Sequence, residues 1–334
     1  MRPFFSGMWI AAICIVLVAT VDVAAQETPT ITPAPSKTPT PTQSTPDESE
    51  TEEADSLDGV ASPFTQSDLS ILSGNVQRPN AIAWYANKLY TICSGDWTIY
   101  EIDDTTGSTR TFIYGVRNAH SIHVEVNSQS VSGFELWVPD YEVNALLQVN
   151  PTGAPRTIAT GFDGPWGIAK LDDERFLVSN LIGNSVVSVS RGGEVVVINS
   201  EMRSPAGIAV DDGFAYVVNN GSSRRSIEWT AVDDIIENDT SFEPLVSGLQ
   251  NATGVVLGPD GLLYFAYALG TRGVVGRVDP EECRKNGGCS NDEVELVLYT
   301  ELVAPLAGLT VTPDMRLFVH TIFQPEIYWL QLDS

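Results

Sequence analysis

The sequence predicts an all-β protein, a six-bladed β-propeller whose last blade is completed by the N-terminal strand of the domain. Three observations predict it. First, a phrase made of a small residue or Pro, any residue, a Gly or small residue, and then Ile, Val or Leu recurs six times. It reads Pro79-Asn80-Ala81-Ile82, Ala119-His120-Ser121-Ile122, Pro165-Trp166-Gly167-Ile168, Pro205-Ala206-Gly207-Ile208, Ala252-Thr253-Gly254-Val255 and Leu306-Ala307-Gly308-Leu309. Second, its apolar anchors lie 40, 46, 40, 47 and 54 residues apart, the period of a four-stranded blade. Third, the sixth repeat stops after three strands, while residues 69–74 form a strand-like segment ahead of the first repeat.

Each repeat fills in the same way. A second apolar run follows the phrase: KLYTIC, ELWVPD, RFLVSN, FAYVVN, LLYFAY and RLFVHT. Turn residues such as Ser94-Gly95-Asp96 and Gly183-Asn184 come next, then a third alternating run: TIYEID, ALLQVN, SVVSVS, RSIEWTA, VVGRVD and EIYWLQL. A fourth run closes each of the first five repeats: RTFIYG, RTIATG, EVVVIN, EPLVSG and VELVLYT. These runs are short and rich in β-branched and aromatic residues, which suits strands rather than helices. The segment at 69–74 resembles the fourth strands at 156–161 and 242–248. It is expected to complete the last blade, so that no blade interface stays unpaired.

Ahead of the propeller the sequence predicts two further segments. Residues 1–25 read as a secretory signal: Arg2, an uncharged apolar run from Ile10 to Val21, and the small residues Val23-Ala24-Ala25 before Gln26. The run is shorter than the about 20 residues of a spanning helix, so membrane attachment is expected only if the signal stays uncleaved. Residues 26–62 are Thr/Pro-rich and acidic. Frequent Pro fixes φ and removes donors, so a semi-extended, disordered linker is expected. Residues 63–334 form the propeller.

The net charge is −25, with 43 acidic against 18 basic residues. Eight acids against the single Lys37 place −7 on the linker, which leaves −18 on residues 63–334. Nucleic acid is excluded as a partner, because binding its backbone requires a basic face. The expected product is extracytoplasmic, secreted or at the cell surface, and monomeric.

In a propeller the first strand of each blade lines the central channel, and ligands collect at a channel mouth. Polar residues recur there at otherwise apolar positions. Before the third residue of the phrase, the Gly or small one, stand Asn80, His120, Trp166, Ala206, Thr253 and Ala307; at the end of the second strand stand Asp96, Asp140, Asn180, Asn219, Tyr267 and His320. Asn80, Trp166, Thr253 and Tyr267 are the ligand-binding candidates, the aromatic ones as the floor of a pocket for a sugar or an aromatic group. His120 and His320 are the catalytic candidates, since imidazole suits proton transfer. The same residues could equally form a satisfied polar lining.

The phrase "Pro-x-Gly-Ile-Ala-Val" followed by a strand ending in Asp or Asn resembles the NHL repeat. It is also similar to the six-bladed propeller superfamily that holds gluconolactonases, senescence-marker lactonases and paraoxonases. The resemblance spans residues 69–334. It implies a Ca²⁺ site on oxygen ligands from several blades, with Asn180 and Asn219 at the Asn ligand positions and Asp140 adding charge. Two departures weaken that set: Asn80 stands where the family has a Glu, and Tyr267 where it has an Asp.

Two functions follow. One is a binding or interaction module that presents one propeller face to a small-molecule, glycan or protein ligand. The alternative is a Ca²⁺-dependent, lactonase-like hydrolase with its site at the channel mouth. In an oxidising compartment Cys283 and Cys289, six residues apart in the insertion of the fifth repeat, are expected to form a disulfide, and Cys93 a buried free thiol.

Overall fold

The structure is a computed structural model and describes residues 62–211, 213–221, 225–237 and 240–332. The expected signal at 1–25 and, apart from Ser62, the expected linker at 26–62 lie outside the described residues.

Six sheets form six blades. Blade one holds strands Pro79–Tyr85, Lys88–Cys93, Thr98–Asp103 and Thr109–Tyr114. Blade two holds His123–Val126, Phe134–Asp140, Ala145–Val149 and Arg156–Thr160; blade three holds Pro165–Lys170, Arg175–Asn180, Ser185–Ser190 and Val195–Asn199. Blade four holds Pro205–Val210, Phe214–Asn219, Ile227–Ala231 and Glu243–Ser247; blade five holds Val255–Leu257, Leu263–Leu269, Arg272–Val278 and Glu295–Val303. Blade six has Gly308–Val311, Arg316–His320 and Ile327–Gln331, and its outer strand is Ser70–Ser73. That outer strand pairs antiparallel with the third, Ser70 opposite Trp329 and Ile71 opposite Tyr328. The expected ring and its N-terminal closure are therefore both present.

Apolar side chains from each blade meet those of the next, and the core divides into six clusters, one at each seam. Tyr90 and Ile92 pack with Phe134 and Leu136 between blades one and two; Trp137 packs with Phe176 and Val178 between two and three. Ile82 and Leu89 pack with Phe318 and Ile327 where blade six meets blade one. A ring in which every sheet face is covered by a neighbour explains why second strands such as Phe134–Asp140 are buried throughout.

The Gly of the repeated phrase has a structural reason. A Cβ on Gly167 would lie 2.4 Å from the Ala206 carbonyl oxygen, and one on Gly207 would lie 2.9 Å from that of Thr253. In place of that methyl, the Gly207 N–H donates to the Thr253 carbonyl at 3.0 Å. The missing side chain lets neighbouring first strands meet backbone to backbone around the axis.

Two outer edges are extended by short parallel strands. Phe64–Thr65 joins blade five beside Leu298 and Tyr299. Cys289–Ser290 joins blade four beside Val246 and Ser247. The second lies in the insertion of the fifth repeat. There Asp279 caps the short helix Pro280–Lys285, and the expected Cys283–Cys289 disulfide holds the strand to that helix. Cys93 is a buried free thiol.

Candidate functional site

The blade meander places the start of each first strand, and the turn between its second and third strands, on one face of the ring. The turns between first and second strands fall on the opposite face. The candidate residues lie mainly on the first of these faces.

The position two residues past the cross-strand partner of each anchor is set by register. It holds Asp140, Asn180 and Asn219 in blades two, three and four, and Cys93, Tyr267 and Thr321 in the others. This corrects two expected placements. Asp96 lies beyond the strand in an exposed turn, and Cys93 takes its position. His320 pairs with Gly308, one residue before Thr321.

Asp140, Asn180 and Asn219 do one job in three blades. Each accepts backbone N–H groups from the loop that enters its own blade. Asp140 takes those of Arg117 at 2.8 Å and Asn118 at 3.3 Å, and also those of Glu142 and Val143. Asn180 accepts from the Asp163 N–H at 3.3 Å, and Asn219 from that of Arg203 at 3.0 Å. Their amide nitrogens donate in turn to Ser185 and Glu228. Burial pushes the Asp140 carboxyl up, while the four amides pull it down. These oxygens are turned to backbone amides and so do not fit a Ca²⁺ ion, which would need them free. Among the described residues there is also no group of three His, Cys, Asp or Glu side chains placed to hold a metal.

Of the ligand-binding candidates, three are buried: Asn80 at 4%, Thr253 at 8% and Tyr267 at 5% exposure. Asn80 donates to the Asn118 side chain at 2.6 Å, and Thr253 to the Leu306 carbonyl at 2.7 Å. They brace the ring. The first strands enclose a channel cavity of about 390 Å³ that runs from His120, Thr253 and Gly308 to Trp84, Lys170 and Thr310. Ala206, Ala307 and Gly308 are buried at its start, whereas Trp84, Val124, Lys170 and Thr310 are half-buried at its end.

His120 and Trp166, both half-buried, are brought together. Their rings stack in parallel at 3.5 Å, and Tyr141 stands perpendicular to both at 5.7 and 6.0 Å. Gly164, at φ +66°, makes room for this cluster: a Cβ there would lie 2.8 Å from Ile182 Cγ1 and 3.0 Å from Tyr141 Cε2. Burial, and secondarily the positive charge His320 would carry, push the His120 imidazole down to about 3.

His320 is fully buried in the seam between blades six and one. Its Nε2 lies 2.9 Å from where a Cβ on Gly308 would sit, and Ile82 lies beside it. Neither ring nitrogen makes a well-formed hydrogen bond, although the backbones of Pro79 and Thr321 lie close enough to favour the proton weakly. Burial outweighs them and pushes the imidazole down to about 4. In blade three the corresponding Ser179 links its blade to the next by donating to the Ala206 carbonyl at 2.6 Å.

One feature of this face escapes a strand-by-strand reading. Five of the turns between second and third strands each expose a large apolar side chain: Trp97 at 49%, Val143 at 41%, Ile182 at 52%, Leu269 at 40% and Phe323 at 60%. Arg117 lies over the Trp97 ring at 5.1 Å. The opposite face exposes Val131 in the turn of blade two, and three of its other turns share one design. These turns hold Asp172, Asp211 and Asp260, whose carboxylates accept the N–H groups of Glu174, Phe214 and Leu262. The signal for the apolar tips was present, since Ile182, Leu269 and Phe323 all stand two residues past the register position described above.

No protein-family model and no curated protein matches the chain. Solved structures do. A streptogramin B lyase superposes with a TM-score of 0.56 at 16% identity, over 79% of this chain and 97% of the other. The calcium-binding protein regucalcin from Agrobacterium tumefaciens gives 0.60 at 12% identity, over 81% and 95%. A putative gluconolactonase gives 0.58 at 11% identity, over 79% and 91%. The chain shares the β-propeller fold of these proteins; identities this low carry the fold alone.

Proposed function

We propose that the chain is an exported binding module, and that a protein partner docks on the face bearing the turns between second and third strands. One observation carries the reading: five blades each expose an apolar tip on the face that bears the Tyr141–His120–Trp166 cluster. Scattered apolar residues are ordinary on a surface, but five of them on the blade corners of one face mark an interaction patch. The tips are spread over five blades, which suits a protein surface better than a small molecule. The Cys283–Cys289 disulfide accords with an oxidising compartment. Among the described residues no helix is long and apolar enough to cross a membrane.

The test is to probe peptide and glycan arrays with the full chain and with an Ile182→Asp/Leu269→Asp/Phe323→Asp variant. Binding should appear on peptides and disappear in the variant, with the melting temperature unchanged. Blank peptide arrays, signal on glycans alone, or signal indifferent to the three substitutions would each refute it.

The second reading, a Ca²⁺-dependent lactonase-like hydrolase, has the likeness to regucalcin and the putative gluconolactonase in its favour. The oxygen set of Asp140, Asn180 and Asn219 stands against it. A rise in melting temperature on Ca²⁺ addition would revive it, because an ion that binds only the folded state stabilises that state.

A further inference from the structure

We propose that the outer strand of blade three, Val195–Asn199, pairs antiparallel with the same strand of a second copy of this chain. This surface is separate from the docking face above. Among the described residues the strand is paired on one side only, with Ser185–Ser190. Val195, Val196 and Val197 are 38%, 42% and 62% exposed. Such an edge offers free N–H and C=O groups, and proteins ordinarily guard it with charge, shortness or cover.

Four of the other blades show those guards, and the edge of blade six, Ser70–Ser73, is short and exposes one large apolar side chain, Ile71. The edges of blades four and five are taken up by Cys289–Ser290 and Phe64–Thr65. Blades one and two carry Arg110 and Arg156 in the outer strand. The chain itself thus shows that outer edges of this ring accept an added strand, and blade three offers an uncharged apolar one.

A second copy fits this edge by its register. Antiparallel pairing about Val196 sets Val195 opposite Val197 and Glu194 opposite Ile198, so β-branched side chains face one another and no like charges meet across the pair. A two-fold contact of this kind is self-complementary and closes as a dimer. What opposes it is the −18 carried by residues 63–334 of each copy. Salt screens that repulsion, so association should strengthen as ionic strength rises.

The experiment is sedimentation velocity on the full chain over a concentration series at low and high salt. The wild type should reach the mass of two chains, with the dimer fraction growing with salt. Val196→Lys should stay monomeric in every condition, and Val126→Lys, at another exposed valine, should dimerise like the wild type. Unchanged circular dichroism melts would show that both variants fold. A wild-type monomer throughout, or a dimer that survives Val196→Lys, overturns the proposal. So does a monomer whose amides at 195–199 resist hydrogen exchange, because the edge would then be covered from within one chain.

Discussion

Arg316 of blade six grips Asp104 of blade one across the seam where the ring closes. Its Nη2 donates to Asp104 Oδ2 at 2.8 Å and its Nη1 to the Asp104 carbonyl at 2.8 Å, while Trp84 Nε1 donates to the same Oδ2 at 2.6 Å. The side chains are 14% and 2% exposed, so the pair is shielded from solvent. Arg191 and Glu125 make the corresponding link between blades three and two, at 2.6 Å. Removing one partner of a buried pair leaves an uncompensated charge. Asp104→Ala should therefore cost about 3–5 kcal/mol, read as a lower denaturant midpoint. Arg316→Lys should also destabilise, because an ammonium cannot reproduce the two-armed contact. An unchanged midpoint for Asp104→Ala would show that the seam is held by apolar packing alone.

The N-terminal closure has its own test. Gly107, in the turn between the third and fourth strands of blade one, stands at φ +69°, and a Cβ there would lie 1.9 Å from the Leu72 carbonyl oxygen. Gly107→Ala should thus push the outer strand of blade six away from its neighbour. The left-handed backbone alone costs about 1–2 kcal/mol, and displacement of the strand adds to it. Hydrogen exchange should rise at 70–73 and at 327–329. Exchange confined to residue 107 and its neighbours would contradict the coupling.

The disulfide should matter locally. Closing a loop of this size stabilises by roughly 2 kcal/mol. Reduction, or a Cys283→Ser/Cys289→Ser variant, should lower the melting temperature modestly. It should also release the amides of Val246 and Ser247, which face Cys289–Ser290 at the edge of blade four. Equal protection in the reduced protein would mean that the added strand holds without its covalent tie.

The three histidines predict how stability falls with acid. Burial is the first cause in each, lowering His120 to about 3 and His123 and His320 to about 4. A group whose pKa is lower in the folded than in the unfolded chain takes up protons preferentially on unfolding. Its contribution is complete above the unfolded value of about 6.5 and declines as pH falls toward the folded one. The melting temperature should therefore decline from about pH 6.5 toward pH 4. A His320→Gln variant should decline less steeply over that window, whatever its stability at neutral pH. Parallel profiles for the two proteins would refute the assignment of His320 as a buried neutral imidazole.

The ring was legible in the sequence because a blade is a local unit. Four short strands and their turns lie within one repeat, and the six phrases mark the same corner of each. Blade six shows where counting along the chain falls short. The run RLFVHT was expected to place His320 where Asn180 and Asn219 stand. Ile168 pairs with Val178 and Ile208 with Val217, which puts Asn180 and Asn219 two residues further on. In blade six Leu309 pairs with Val319, so Thr321, the last residue of that run, takes the shared position. Adjacent residues of a strand face opposite sides of the sheet, so an error of one residue assigns a side chain to the wrong face. The polar positions were visible, but not what they hold: Asp140, Asn180 and Asn219 recur because the loop entering each of those three blades needs an acceptor.

The sequence by itself determined the number of blades, the strands within them, the closing strand and the cysteine pair. All of these follow from periodicity and local chemistry. Only the tertiary structure decided which residues meet across seams and faces. Arg316 and Asp104 are 212 positions apart. His120 reaches Trp166, and the tips from Trp97 to Phe323 share one face, because a closed ring brings equivalent corners of its blades together. No single repeat contains those contacts, so the chain's one-dimensional pattern could name the candidate residues but not assemble them.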